Sequence, residues 1–336
     1  MQQSPGLRHV IDIREFKDPV ELDRLLNLAR DMEERFRNGT LEPVLKGKIL
    51  AALFYEPSTR TKFSFESAMK RLGGGVIETE SAAQFSSAAK GESLPDTVRI
   101  VGRYADAIVI RHPEEGSAKI AAEYSPVPVI NAGDGSGQHP TQTLLDVYTI
   151  KKEIGRLDGF TIAMAGDLKH GRTVHSLAYL LSHRKGVRMI FVSPRQLRMK
   201  DDVKEYLLAR GVAFRETERL EDALPEADII YMTRIQKERF HDQAEYDAVK
   251  GCCVISKKTL NSMKDNSIIM HPLPRVDEIA QDVDSDPRAA YFRQAENGLY
   301  VRMALLRMVL EGQKGLQYLD EAVKPVEGGK AYAKGN

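Results

Sequence analysis

Short apolar runs alternate with amphipathic segments along most of the chain. Each run has the length and composition of a buried strand, and helical spacing of apolar positions follows several of them. This strand–helix rhythm predicts an α/β fold with parallel sheets covered by helices. The predicted strands are residues 49–55, 107–110, 127–130, 160–165, 189–192, 229–232, 252–255 and 268–270.

Helix signals divide the same pattern into two halves. Helices are predicted to begin near Ser58, Ser93, Glu115 and Pro140, and a last one covers about 288–310. The helix from Pro140 to about residue 154 connects the halves, because proline suits a first helical turn. We therefore expect two domains, each a parallel sheet flanked by helices, joined by long helices. The expected division is residues 1–140 plus about 297–312, residues 141–296, and a disordered tail over 313–336.

Composition narrows the class of protein. The chain has 336 residues, 42% of them hydrophobic and 29% charged, with a formal net charge of +1. Such a balance is typical of a globular protein and offers no broad basic surface to nucleic acid or to an anionic membrane. No apolar run approaches the length of a membrane span, and the first residues lack a secretory pattern, so we expect a cytoplasmic protein.

The two cysteines, Cys252 and Cys253, are adjacent and fall on a predicted strand. Neighbouring strand positions point to opposite faces, so we expect two core thiols and no disulfide between them. A zinc site would require more ligands at other spacings.

The segment after the first predicted strand carries the most informative chemistry. Ser58, Thr59, Arg60 and Thr61 lie where this strand gives way to a helix. Free backbone N–H groups and the positive end of the helix dipole meet there and favour a phosphate. The alternative is that Ser58 is only a helix N-cap.

Polar residues follow most of the other predicted strands as well. Ligands of open parallel sheets bind beyond the carboxyl ends of the strands. The chain has no P-loop, no H-E-x-x-H spacing and no G-x-S-x-G elbow, and the glycines of 166–171 lack the dinucleotide order. We therefore expect a transferase for two anionic small molecules, without metal or cofactor, which acts by orientation and electrostatics. The candidate residues are Arg111, His139, Gln142, Arg172, Arg234, Gln236 and His271 to Arg275.

Three motifs in this order resemble those of the aspartate/ornithine carbamoyltransferases. They are Ser-Thr-Arg-Thr at 58–61, His-Pro-Thr-Gln at 139–142 and His-Pro-Leu-Pro-Arg at 271–275. The resemblance covers about residues 10–310. The third motif has proline where ornithine enzymes usually have cysteine, and Arg-Ile-Gln at 234–236 matches the aspartate branch. The resemblance thus implies transfer of a carbamoyl group from carbamoyl phosphate to aspartate, in pyrimidine biosynthesis.

The resemblance also implies a role for each matching residue. Thr61, Arg111 and His139 would polarise the carbonyl of carbamoyl phosphate. Gln142, the backbone at Leu273 and Pro274 would hold its carbamoyl end. Arg172, Arg234, Gln236 and Lys90 would bind aspartate. The phosphate would be held by Ser58, Thr59, Arg60, Thr61 and Arg111.

A loop from an adjacent subunit would complete each site. The resemblance implies that this loop supplies Ser86 and Lys90, so that a homotrimer shares its active sites; a regulatory chain is a further possible partner. Ala89 stands where some relatives have a second lysine. Two alternatives remain at this point: carbamoyl transfer to another amine such as ornithine, and a non-catalytic relative that acts as a scaffold.

Overall fold

A computed structural model describes residues 9–80, 91–240 and 242–311. Its nine strands are all parallel to their neighbours. They are β1 (Ile49–Phe54), β2 (Gly75–Glu80), β3 (Ala107–His112), β4 (Val129–Asp134), β5 (Thr161–Ala165), β6 (Arg188–Val192), β7 (Ala213–Thr217), β8 (Ile229–Met232) and β9 (Ile268–Met270).

The α-helices of the described residues alternate with these strands. They are α1 (Pro19–Arg37), α2 (Thr59–Arg71), α3 (Leu94–Val101), α4 (Ser117–Tyr124), α5 (Pro140–Ile154), α6 (Arg172–Leu181), α7 (Asp201–Ala209), α8 (Gln243–Asp247), α9 (Lys257–Leu260) and α10 (Tyr291–Leu310). No helix among the described residues is long and apolar enough to cross a membrane.

The strands form two sheets, which confirms the predicted fold class. The first sheet has the order β2-β1-β3-β4 and the second the order β7-β6-β5-β8-β9. One hydrophobic core runs through both sheets, and two smaller clusters cover the remaining sheet faces. The helix predicted from Pro140 connects the sheets as α5, and α10 returns to pack against α1, α2 and α5.

Three strand assignments from the sequence were wrong. Strands β2 and β7 were not predicted; both are edge strands with partly exposed side chains, so neither shows the continuous apolar run of a central strand. The predicted strand at 252–255 does not form. Only Ile255 makes a bridge, to Ile279, while Cys252 and Cys253 lie in a turn.

The predicted domain bounds stay a prediction, and the predicted disordered tail over 313–336 lies outside the described residues, as do Ser86 and Lys90.

Candidate active site

A cavity of about 720 Å³ opens between the carboxyl ends of the two sheets. Among the described residues, the arginine and carboxylate side chains that line this cavity are six arginines and one glutamate, Glu56. Such a wall is suited to small molecules that carry several negative charges. The arginines are Arg60, Arg111, Arg172, Arg234, Arg239 and Arg302.

All the predicted site residues that the structure describes line this cavity except Arg275, which instead donates hydrogen bonds to Asp284 and Tyr291. They come from both sheets and from the helix that connects them, although they are far apart in the sequence. Their individual roles stay predictions. The residues are Ser58, Thr59, Arg60, Thr61, Arg111, His139, Gln142, Arg172, Arg234, Gln236, Leu273 and Pro274.

The first turn of α2 forms one wall, as the sequence predicts. Ser58 is the N-cap residue of α2, but its side chain makes no capping hydrogen bond. The alternative that the Ser58 side chain only caps the helix is therefore wrong. Thr61 is buried, and burial lowers the pKa of the neighbouring Arg60. The free N–H groups of this turn and Arg60 thus face one anion-sized space.

Two further guanidinium groups meet above Gly133. A Cβ atom at this position would lie 3.0 Å from Nη2 of Arg172 and 3.1 Å from Nη1 of Arg111. The φ angle of Gly133 is +118°, a conformation that side chains with a Cβ rarely adopt. Glycine at 133 therefore allows both arginines to lie against the backbone of β4.

The two arginines are costly to hold together. Burial, then the charge of Arg172 and that of Arg60, lower the pKa of Arg111 to about 10, although Glu56 opposes this shift. The Nε atom of Arg111 lies 3.5 Å from a Glu56 oxygen and makes no hydrogen bond. Burial also lowers the pKa of Arg172. A bound anion would relieve this crowding of like charge.

His139 is buried and held neutral at the start of α5. Burial, followed by the charges of Arg172, Arg111 and Arg302, lowers the pKa of His139 well below 6.5. Arg302 donates to Oγ1 of Thr141, which lies 3.4 Å from Nδ1 of His139. In the tautomer in which the Thr141 hydroxyl donates to Nδ1, the imidazole hydrogen is on Nε2, where it can be donated to a ligand.

The side chain of Gln142 is held by the buried carboxylate of Asp146, which lies one helical turn after it in α5. Gln142 and Gln294 donate to its Oδ1 at 2.8 and 2.7 Å, and Tyr231 donates to Oδ2 at 2.7 Å. Burial raises the pKa of Asp146 to about 7, although these hydrogen bonds oppose the shift. Helix α5, helix α10 and strand β8 are thus tied to one carboxyl group below the cavity.

The segment after β9 is fixed by its own histidine. The Leu273 N–H donates to Nδ1 of His271 at 2.7 Å, so Nε2 carries the hydrogen and donates to Glu278, also at 2.7 Å. The backbone N–H of His271 donates to Gln294. Leu273 has a positive φ of 52°. These bonds hold the strained Leu273 backbone at the cavity wall.

Several lining residues were missed from the sequence. Glu56 and Thr233 directly adjoin predicted strands, so position alone could have identified them. His170 follows the predicted strand 160–165, as Arg172 does, whereas Arg239 and Arg302 carry no such signal. Arg302 lies in the middle of α10 and enters the cavity wall only because this helix packs against α2 and α5.

Comparison with protein families gives two matches that together span nearly the whole chain. Residues 8–152 match the domain described as "Aspartate/ornithine carbamoyltransferase, carbamoyl-P binding domain". Residues 158–309 match "Aspartate/ornithine carbamoyltransferase, Asp/Orn binding domain". The boundary between the matches falls just after α5.

Two curated relatives are similar over 78% and 100% of their own length. "Aspartate carbamoyltransferase catalytic subunit" of Methanocaldococcus jannaschii is 54% identical over 309 residues, 92% of this chain and 100% of the relative. "Aspartate carbamoyltransferase 3, chloroplastic" of Pisum sativum is 54% identical over 307 residues, 91% of this chain and 78% of the relative.

Solved structures have the same fold. The catalytic subunit of M. jannaschii aspartate transcarbamoylase matches with a TM-score of 0.85 and 54% identity, over 91% of this chain and 98% of that chain. Aspartate transcarbamoylase from Trypanosoma cruzi in complex with carbamoyl phosphate and aspartate matches with a TM-score of 0.85 and 40% identity, over 90% and 96%.

Replacing Gly133 by alanine should weaken anion binding at this site. The new Cβ would displace the Arg111 and Arg172 side chains, so inorganic phosphate should bind about tenfold or more weakly by calorimetry. The matched control is Gly159→Ala, which also has a positive φ but no atom within 4 Å of its Cβ. Equal phosphate affinity in both variants would contradict this role of Gly133.

The neutral state of His139 predicts a pH dependence of stability. An unfolded histidine takes up a proton below about pH 6.5, while folded His139 does not, so the free energy of unfolding falls as pH decreases. One such group contributes up to about 1.4 kcal/mol per pH unit. Urea unfolding of wild type and His139→Gln between about pH 7.5 and pH 5 should therefore show a shallower decrease for the variant. Parallel curves would mean that folded His139 titrates normally.

Proposed function

We infer that this chain, which belongs to the aspartate/ornithine carbamoyltransferase family, is an aspartate carbamoyltransferase. It transfers the carbamoyl group of carbamoyl phosphate to the α-amine of L-aspartate and releases N-carbamoyl-L-aspartate and phosphate. The observation that carries this conclusion is the single cavity between the sheets, lined by six arginines and one carboxylate. Its two substrates are both multiply charged anions.

The phosphate end of the cavity is the first turn of α2. There, Arg60 and the free N–H groups bind the phosphate of carbamoyl phosphate, with Ser58, Thr59 and Thr61 as hydroxyl donors. Arg111 reaches the same ligand from the end of β3. Because guanidinium groups bond two phosphate oxygens at once, they orient the ligand as well as neutralise it.

The carbonyl of carbamoyl phosphate is activated by hydrogen-bond donors. Attack by the neutral amine of aspartate places negative charge on the carbonyl oxygen, where Thr61, Arg111 and Nε2 of His139 donate. One such donor typically lowers the barrier by about 3–4 kcal/mol. A neutral His139 suits this role because it donates without taking a proton from the amine. Gln142, fixed by Asp146, and the Leu273 backbone orient the carbamoyl NH₂ group.

Proton transfer needs no dedicated side-chain base in this scheme. The phosphate leaves with an extra lone pair and accepts the proton lost by the attacking amine, while Arg60 and Arg111 stabilise its charge. The departing group therefore supplies the base, and the protein supplies orientation and charge.

The second sheet provides the residues for aspartate. Arg172, at the first turn of α6, and Arg234 and Gln236, after β8, bind its two carboxylates. Ornithine would instead place an ammonium group among the arginines, which like-charge repulsion opposes. The charge of the cavity therefore favours aspartate over ornithine, and the intact set of lining residues favours an enzyme over a scaffold.

We further propose a homotrimer in which Ser86 and Lys90 of one subunit complete the site of the next. The support is the family resemblance of this loop and the exposed apolar side chains of Phe63, Ile77, Ile100 and Tyr104 in the first half of the chain. We place the reaction in pyrimidine biosynthesis and the protein in the cytoplasm, where reducing thiol pools suit two free cysteines.

Arg60→Ala and Arg234→Ala should each abolish formation of carbamoyl-aspartate. Loss of a charged contact to the phosphate or to the carboxylates should lower kcat/KM for aspartate by about a thousandfold or more. Arg195→Ala is the control, because its side chain is 81% exposed away from the cavity lining. Circular dichroism should show the wild-type fold in all three variants. Retained activity in both cavity variants would rule out these roles, and a parallel assay with ornithine tests the substrate.

Mixing two inactive variants tests the shared site. Lys90→Ala and Arg60→Ala trimers, dissociated and reassembled together, should regain activity, because every mixed trimer contains one site with both native residues. Each variant reassembled alone should stay inactive, and light scattering should give the mass of a trimer. No recovery in mixtures that are shown to contain hybrid trimers would contradict the sharing of Lys90.

A further inference from the structure

The adjacent thiols of Cys252 and Cys253 lie closer together than the sequence predicts. They occupy a turn, not a strand, and their sulfur atoms are 3.6 Å apart and share a hydrogen bond. Neither takes part in the proposed reaction. They are also the only cysteines of the chain, so any thiol chemistry of this protein belongs to them.

The two thiols differ in reactivity. Cys252 is partly accessible and Cys253 is buried. The hydrogen bond with Cys253 lowers the pKa of Cys252, whereas the same contact, with burial, raises the pKa of Cys253. The pair therefore consists of an accessible sulfur that ionises more easily and a buried neighbour that keeps its proton. A thiolate with a second thiol beside it is the usual arrangement of a site that oxidises reversibly.

The pair also lies directly behind the aspartate-binding segment. A small cavity next to the thiols is lined by both cysteines, Thr233 and Ile235. Thr233 belongs to the wall of the active-site cavity as well, together with Arg234 and Gln236. The segment 233–236 thus separates the two cavities, with Arg234 and Gln236 on the substrate side and Ile235 on the thiol side.

The backbone at Gly166 packs tightly against the segment 233–236. A Cβ atom at Gly166 would lie only 2.1 Å from the Thr233 carbonyl oxygen. Gly166, Thr233 and Cys253 all line the small cavity next to the thiols. A change in the position of Cys253 is therefore transmitted to the end of β5 and to Thr233, which directly precedes Arg234.

We propose that Cys252 and Cys253 form a modification site at which a hydroperoxide produces a disulfide, and that this disulfide weakens aspartate binding. The Cys252 thiolate attacks the peroxide, the O–O bond breaks, and a sulfenic acid forms while an alkoxide or hydroxide leaves. The leaving group takes up the proton that Cys252 released to solvent on ionising, which gives an alcohol or water. The Cys253 sulfur then attacks the sulfenic sulfur. Its proton leaves with the hydroxyl group as water, so the two thiols lose two electrons to the peroxide.

Closure of the disulfide requires movement of the turn. The sulfurs must approach from 3.6 Å to a bonding distance of about 2 Å. Because Ile235 and Thr233 line the same small cavity as this turn, we expect Arg234 and Gln236 to shift relative to the carbamoyl phosphate half of the site. Displacements of about 1 Å can cost up to about a hundredfold in rate; we expect KM for aspartate to rise about tenfold, with KM for carbamoyl phosphate within about twofold of its reduced value.

The test is treatment of the full-length enzyme with hydrogen peroxide, followed by intact mass and kinetics. The wild-type chain should lose two hydrogen atoms, lose both titratable thiols, and recover its thiols and its aspartate KM with dithiothreitol. Cys253→Ser should stop at one added oxygen, trapped by dimedone, and Cys252→Ser should not react. Both variants should have the basal activity of the reduced enzyme; Cys253→Ala replaces Cys253→Ser if the latter misfolds.

Each other outcome overturns a defined part of the proposal. Survival of both thiols, or an end product that stays at added oxygen in the wild type, would exclude the vicinal disulfide. A doubled mass under non-reducing conditions would show a bond between chains. A disulfide with unchanged KM for aspartate would exclude the effect on binding. The mass measurement does not depend on activity, so it remains decisive even if the proposed function fails.

Discussion

The crowding of positive charge in one cavity is the constraint on which the site depends. Among the described residues, six arginines and one glutamate line it, and burial together with the charge of neighbouring arginines lowers the pKa values of Arg111 and Arg172. The backbone partly offsets this cost, since Ala132 and Gly135 carbonyls accept hydrogen bonds from these two side chains. The repulsion that remains between the arginines decreases when an anion binds. Ligand binding should therefore contribute to the stability of the fold as well as to chemistry.

A single carboxylate holds the surrounding elements in register. Asp146 accepts hydrogen bonds from Gln142, Gln294 and Tyr231, which belong to α5, α10 and β8. These elements carry residues for both substrates: His139 is the N-cap residue of α5, and Arg234 follows β8. The carboxylate is expensive to bury, as its raised pKa shows. Its three partners satisfy both oxygens, so the cost is accepted in exchange for a fixed geometry between the two halves.

Sequence predicted the parts of this structure that local physics determines. Central strands such as β1 and β8 are continuous apolar runs, and α5 begins at a proline, so their positions were predictable. Strands β2 and β7 were missed because their side chains are partly exposed at the sheet edges, so their sequences show no continuous apolar run. The strand predicted at 252–255 was wrong for the opposite reason. This apolar run is part of the hydrophobic core, but its backbone forms a turn instead of a strand. Arg302 illustrates a site residue that only tertiary packing places, because no local pattern distinguishes it from other buried helix positions.

The alternation of residues along 233–236 has a consequence for substrate selection. Arg234 and Gln236 line the large cavity, while Ile235 lines the small one behind it. An extended segment presents successive side chains to opposite sides, so the position of Ile235 determines the positions of its two polar neighbours. A cationic amine is repelled by the positive charge of the cavity wall, and this repulsion does not require exact placement of the arginine side chains. Recognition of two carboxylates at once does require it, because bidentate guanidinium contacts are directional. The packing behind the segment therefore determines how well aspartate is bound, whereas the wall charge determines which amine is admitted.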